Sequence, residues 1–206
     1  MNLFVNYLFT QPVYFFTVIL IVGFSVCLHE YCHARVALAF GDPTAAQTGH
    51  LTLNPLKQMG WWSIFMLLLL GICWGSVPVN PQLVTRRQRA LIALAGPAAN
   101  LGLFLVSLIL CIVCIKLGLE FGTTFFLYGG ILNLALCFLN LMPVPGFDGG
   151  AVLLAFLPVE RLRDNELVKG IMIGAVLLLF TCIDKLFAAA AQVMNFCLEG
   201  IVSCLA

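Results

Sequence analysis

A chain of 206 residues with 62% hydrophobic and only 9% charged side chains is not a soluble globular domain, since such domains carry about a quarter charged residues. Its formal net charge of +1 supplies no general attraction to nucleic acid. The composition leaves a protein whose main solvent, and first partner, is the lipid bilayer.

Apolar runs occupy 13–28, 61–73, 91–115, 123–142, 171–183 and 186–198. A spanning helix needs about 20 apolar residues at a rise of about 1.5 Å each, so 13–40, 91–115 and 123–142 are predicted to cross. Trp61 to Trp74 is short for a crossing. The tail 168–205 reads as two short helices or one long bent helix, with Asp184-Lys185 near its middle. An all-α polytopic membrane protein with about five or six transmembrane helices is expected. It forms a single domain over 1–206, with its core at 10–160 and C-terminal helices at 168–205. The first run lacks a basic flank and leads into His29-Glu30 with no small-residue cleavage site, so it is expected to stay in the mature chain.

Arg86, Arg87 and Arg89 precede the third run, and Arg161 and Arg163 follow the fourth. Counting each of those runs as a crossing puts both clusters on one side, which the positive-inside rule makes cytoplasmic. The same count puts the N-terminus in the cytoplasm and Lys57, Lys116 and Lys185 opposite, unless 61–74 is re-entrant. Nine cysteines are scattered through the apolar runs, and Cys111 and Cys114 form a C-x-x-C. With no second pair to complete a site, they read as small packing residues.

Three stretches interrupt the apolar runs. Gly41-Asp42-Pro43 through Asn54-Pro55 ends the first helix, and its Leu51-Thr52-Leu53 alternation between Gly49 and Asn54-Pro55 predicts a short re-entrant strand or half of a hairpin. Val77-Pro78-Val79-Asn80-Pro81 is too rich in proline to be helical. Asn140-Leu141-Met142-Pro143-Val144-Pro145-Gly146-Phe147-Asp148-Gly149-Gly150 breaks the chain directly after a span. Non-helical backbone at membrane depth is tolerated only where protein or a water-filled cavity satisfies it, which makes the third stretch a candidate site.

His29-Glu30-Tyr31-Cys32-His33 is an H-E-x-x-H sequence inside the first span. Residues four apart share a helix face, so both imidazoles can address one metal ion. Two imidazoles and a carboxylate suit zinc, with a fourth position left for water. Glu30 lies about 100° round the helix from His29, where its carboxylate can reach that water and serve as general base for attack on a carbonyl. The bland alternative is a chance match on an ordinary helix. A carboxylate in the middle of a span costs about 2.5–3.5 kcal/mol, and a purely structural helix has no reason to carry that cost. Arg35, a turn beyond, pairs with a carboxylate or snorkels to the interface; no chemistry is assigned to it.

A third protein ligand is needed. Glu120 falls near a loop between spans, and the extended H-E-x-x-H-x-x-G-x-x-H pattern is absent. The acidic residues from Glu160 to Glu166 are mixed with Arg161, Arg163 and Lys169 and read as a solvated loop. Asp42, in Gly-Asp-Pro, reads as a turn residue. Asp148 stands alone in a Pro- and Gly-rich turn, where Gly149 and Gly150 permit close backbone approach. It is favoured as the missing carboxylate over the plainer role of helix cap. His50 is the runner-up ligand, or else a polar residue near the entrance.

His29-Glu30-x-x-His33 together with Asn140-x-x-Pro143-x-x-x-x-Asp148-Gly149 resembles the paired signature of the site-2 protease family of intramembrane zinc metalloproteases. Gly41-Asp42-Pro43-Thr44, Leu51 to Leu56, Pro78-Val79-Asn80-Pro81 and Ala95-Gly96-Pro97-Ala98-Ala99-Asn100 are similar to its small bacterial branch without a PDZ domain. The likeness covers residues 10–160. It implies one zinc ion held by His29, His33 and Asp148, with Glu30 as general base. It implies that Asn140 lies near the site, where its amide could meet substrate or a developing oxyanion; a turn-forming role is the plain alternative. The strand ending at Asn54 would pair with an unwound substrate by strand addition, and Gly96 and Asn100 would allow close helix packing. The expected activity is cleavage of peptide bonds in or beside transmembrane segments of membrane proteins, for regulated proteolysis or remnant clearance, in a bacterial cytoplasmic membrane. Two rivals share the ligands: a membrane zinc hydrolase with a non-peptide substrate, and a non-enzymatic metal-binding transporter. The sequence names no substrate and no oligomeric state.

Overall fold

The computed structural model describes residues 3–144, 146–156 and 166–205, and among these described residues there are six main helices. They are α1 (Pro12–Ala39), α2 (Gly60–Leu70), α3 (Arg86–Leu117), α4 (Glu120–Asn140), α5 (Asp148–Phe156) and α6 (Glu166–Leu205). Helical and single-turn pieces at Phe4–Asn6, Tyr7–Thr10, Thr44–Gln47 and Pro55–Gln58 fill the connections.

Four helices are long and apolar enough to cross a membrane: α1, α3, α4 and the Thr181–Ser203 part of α6. The expected five or six crossings reduce to these four among the described residues. Helix α2 has 11 residues, or roughly 16 Å of rise, about half of a hydrocarbon core. Gly71 ends it in the left-handed conformation, φ 74°, and Trp61 and Trp62 stand exposed at its other end. The tail is one continuous helix, so Asp184 and Lys185 lie inside it. Arg161 and Arg163, with Glu160 and Asp164, fall outside the described residues.

Start and stop signals are local. Pro12 opens α1 in the first turn, where its missing N–H costs nothing. Thr85 and Gln88 form a capping box at the start of α3, and Gly118 closes that helix with φ 67°. One core cluster joins Phe104, Leu108, Cys111 and Ile112 of α3 to Leu134 and Ala135 of α4 and Ala190 and Met194 of α6. A second joins Val18, Val22, Val26 and Cys27 of α1 to Met59 and Leu67. Cys111 and Cys114 are free and buried, as expected of packing residues. Gly129 lets α4 press on α3, since a Cβ there would stand 2.9 Å from Ser107 Oγ.

The expected strand at Leu51–Asn54 is not formed, and no strand occurs among the described residues. A side chain engages this stretch instead of a ladder: Gln58 Nε2 donates to the Thr52 carbonyl within it at 2.5 Å and to that of His50 just before it at 2.9 Å. Asn54 then caps Pro55–Gln58, its Oδ1 accepting from Leu56 N at 3.0 Å. A segment that is neither helix nor strand lies further on, from Ile72 to Asn80. Ser63 Oγ clamps Trp74 by donating to its carbonyl at 2.6 Å and accepting from its N–H at 2.8 Å. Ser76 N donates to Gln58 O at 3.1 Å, and Asn80 N to Asp42 Oδ2 at 2.7 Å.

Asp42 is thus the pin between the end of α1 and the 72–80 segment. Fully shielded from solvent, its carboxylate also accepts from Thr44 N at 3.0 Å and Thr44 Oγ1 at 2.5 Å. Burial pushes its pKa up, but the bonds from Thr44 and Asn80 outweigh that and hold it below the ordinary carboxylate value. A depressed folded-state pKa gives stability that is present above the unfolded value and is lost as pH falls through the folded one. Asp42→Ala is expected to cost about 1–3 kcal/mol for each buried donor it leaves unpaired. In thermal unfolding the gap between wild type and variant should hold from neutral pH to about 5 and close below about 4. A gap that widened in acid would contradict this role.

Candidate active site

Helix α1 carries His29, Glu30 and His33 on buried positions. The imidazoles meet edge to face, with ring centroids 4.6 Å apart and planes at 80°. Asp148 arrives from the far end of the chain as the first residue of α5. The turn that delivers it folds tightly against the end of α4: Gly146 has φ 96°, and a Cβ on Gly149 would overlap the carbonyl groups of Leu141 and Met142. Asp148 Oδ2 lies 2.9 Å from His29 Nε2, and Oδ1 lies 3.3 Å from His33 Nε2. One donor atom from each of the three residues fits within a 4.8 Å circle.

Proton placement bears on what this group could hold. His33 Nδ1 lies 2.6 Å from the main-chain carbonyl of Ile92, which can only accept, so Nδ1 bears the proton. His29 Nδ1 lies 2.6 Å from Asn100 Oδ1. In the neutral imidazoles each Nε2 therefore turns a lone pair toward a carboxylate. Asp148 Oδ2 accordingly has no hydrogen-bond donor although His29 Nε2 is close. Three acceptors aimed at one another repel unless a cation lies among them. Residue 96 of α3 must be glycine for this packing, since a Cβ there would overlap His29 Nε2 and His33 Nε2 together. The donor set, two imidazoles and a carboxylate with their second nitrogens hydrogen-bonded, is that of a hydrolytic zinc site.

The three residues line a cleft of about 660 Å³ with Glu30, Asn140, Arg89 and the non-helical segment from Cys73 to Val79. Glu30 is 8% exposed and forms no ion pair among the described residues. Its carboxyl packs on Gly75, where a Cβ would overlap it. Asn140 spends one N–H on Leu136 O at 3.0 Å.

Residues 17–120 and 120–181 match peptidase family M50. The chain belongs to that family.

YwhC of Bacillus subtilis is 35% identical over 154 residues, covering 70% of this chain and 69% of its own. Rip2 of Mycolicibacterium smegmatis is 34% identical, covering 79% and 66%, and MJ0611 of Methanocaldococcus jannaschii is 29% identical, covering 72% and 77%. All three are named as zinc metalloproteases. The alignment thus spans about two thirds of the Rip2 relative. No solved structure matches the chain. Membership in M50 makes this a zinc metalloprotease of the site-2 protease type, and its four long apolar helices agree with an integral membrane protein.

Of the residues singled out for an M50 site, His29, Glu30, His33, Asp148 and Asn140 share the cleft. Asn54 does not line it and caps a helix instead. His50 is also elsewhere, with Nδ1 3.0 Å from Thr48 Oγ1. Arg35 and Glu120 are exposed. Residues not singled out for the site contribute to it as well. Gly75 and Gly96 leave room for reactive groups, and Ile92 O and Asn100 orient the imidazoles. Of these, only the Gly96–Asn100 motif carried a sequence signal, and it was read as packing.

Proposed function

We propose that this M50 chain is an intramembrane endopeptidase that hydrolyses peptide bonds in or next to transmembrane segments of membrane proteins. In this reading His29, His33 and Asp148 hold one zinc ion and Glu30 is the general base. The observation that carries it is that His29, Glu30 and His33, on a helix long enough to span, share one cleft with the Asp148 carboxylate.

Bound zinc supplies a Lewis acid that polarises the scissile carbonyl and acidifies water. Glu30 takes a proton from the attacking water as its oxygen bonds to the carbonyl carbon. It passes that proton to the amide nitrogen as the C–N bond breaks. Asn140 has a second amide N–H to offer the carbonyl oxygen as charge develops there. The substrate must be extended to present a carbonyl. Backbone from Ile72 to Asn80, pinned at Trp74, Ser76 and Asn80 and passing Glu30 at Gly75, supports pairing by strand addition. This segment replaces Leu51–Asn54 in that role.

With four crossings the arginines before α3 lie on the side opposite the start of α1. We place that arginine side in the cytoplasm of a bacterial cytoplasmic membrane, which puts the N-terminus outside rather than inside. His29 is then about 15 Å from the cytoplasmic end of α1, and a cleaved span would release its fragment there.

The test compares membrane proteins in cells carrying wild type and Glu30→Ala. Proteins or remnant peptides with an intact span should accumulate several-fold in the variant. Equal membrane proteomes, with altered lipids or metal content instead, would replace a peptide substrate by one of the rivals.

A further inference from the structure

The zinc-facing proton state of His29 rests on a residue two helices away. His29 Nδ1 lies 2.6 Å from Asn100 Oδ1, and a side-chain amide can be turned to offer either its oxygen or its NH2. Had Asn100 presented its NH2, the neutral imidazole would carry its proton on Nε2 and lose its metal-facing lone pair. The choice is made elsewhere. Asn100 Nδ2 donates to Asn133 Oδ1 at 3.1 Å, and Asn133 Nδ2 donates to the main-chain carbonyl of Gly129 at 2.9 Å. A carbonyl can only accept, so it orients Asn133, Asn133 orients Asn100, and Asn100 orients His29. Both amides are buried, Asn100 at 1% and Asn133 at 3% exposure, so water offers no substitute.

We infer that Asn133 is a positioning residue: with Asn100 it forms an amide relay from α4 through α3 to α1 that holds His29 with its proton on Nδ1. His33 needs no such device, because its partner is the main chain at Ile92. The two imidazoles thus differ in what can disturb them. The zinc-affinity consequence rests on the metal-site reading above, whereas the proton position does not.

The chain has three histidines, so 15N-histidine labelling gives a spectrum that single substitutions can assign. In the metal-free wild type, both His29 and His33 should show a protonated Nδ1. Asn133→Leu should move the His29 signals, leave those of His33 in place, and weaken zinc about tenfold against a competing chelator, within the 10–100-fold cost of losing an outer partner. Asn133→Asp keeps an acceptor for Asn100 and should restore the His29 signals. Three results would overturn the relay: a His29 Nδ1 without its proton in the wild type; unmoved His29 signals in Asn133→Leu; or equal disturbance of His29 and His33, which marks general loosening. The wild-type spectrum decides even if Asn133→Leu does not fold. A wild type that binds no zinc would count against the metal-site reading, while the spectra still judge the relay.

Discussion

Glu30→Gln should keep its zinc and lose about a thousandfold or more in turnover. General-base catalysis contributes about 10²–10⁴-fold, and a carboxamide of the same shape cannot take up a proton. The side chain forms no ion pair among the described residues, and its carboxyl packs on Gly75. Gln fits the same space, so the fold has little reason to respond. The ligand triad is separate from it, so metal content should stay at the wild-type level. Zinc per chain by mass spectrometry, beside cleavage of a membrane-span peptide in detergent, separates the possibilities. Loss of zinc would make Glu30 a ligand, and retention of a tenth or more of the turnover would remove it as the base.

The second large effect comes from a residue with no side chain. On helix propensity alone, Gly96→Ala should stabilise α3 by about 0.5–1 kcal/mol. The added methyl, however, would occupy the space in front of both imidazole Nε2 atoms. Either α3 retreats from α1 or the rings turn away, and in both cases the donors no longer converge. Zinc affinity is expected to fall more than about a hundredfold, beyond the usual cost of disturbing an outer partner, with activity lost in parallel. Gly102 on the same helix supplies the control, since a Cβ there would meet nothing within 4 Å. Titration with a chelator of known strength checks both variants. Wild-type affinity in Gly96→Ala would mean that the metal does not sit between these imidazoles.

His29, His33 and Asp148, which the structure brings together, were legible in the sequence by two unequal routes. His29 and His33 were legible because their pairing is local: a helix puts residues four apart on one face. Asp148 was reached by its isolation in a proline- and glycine-rich break, and only packing could bring it 119 residues along the chain to within 2.9 Å of His29. The strand at Leu51–Asn54 failed for a complementary reason. Alternation shows that a segment can pair, but whether a partner is free depends on neighbours, and there Gln58 already holds the Thr52 carbonyl. Asn133 carried no motif at all, since its role exists only where Gly129 lets α4 close on α3.

By itself, the sequence determined the solvent of this protein, the helices that live in it and the chemistry of the paired motifs. Hydropathy, helical periodicity and ligand type are properties of residues and their near neighbours. The tertiary structure alone decided that the backbone at Gly75 packs against Glu30, and that Asn133 and Asn100 set the proton on His29. Those features depend on distances between segments that no local pattern specifies, because each arises from how closely two helices can approach.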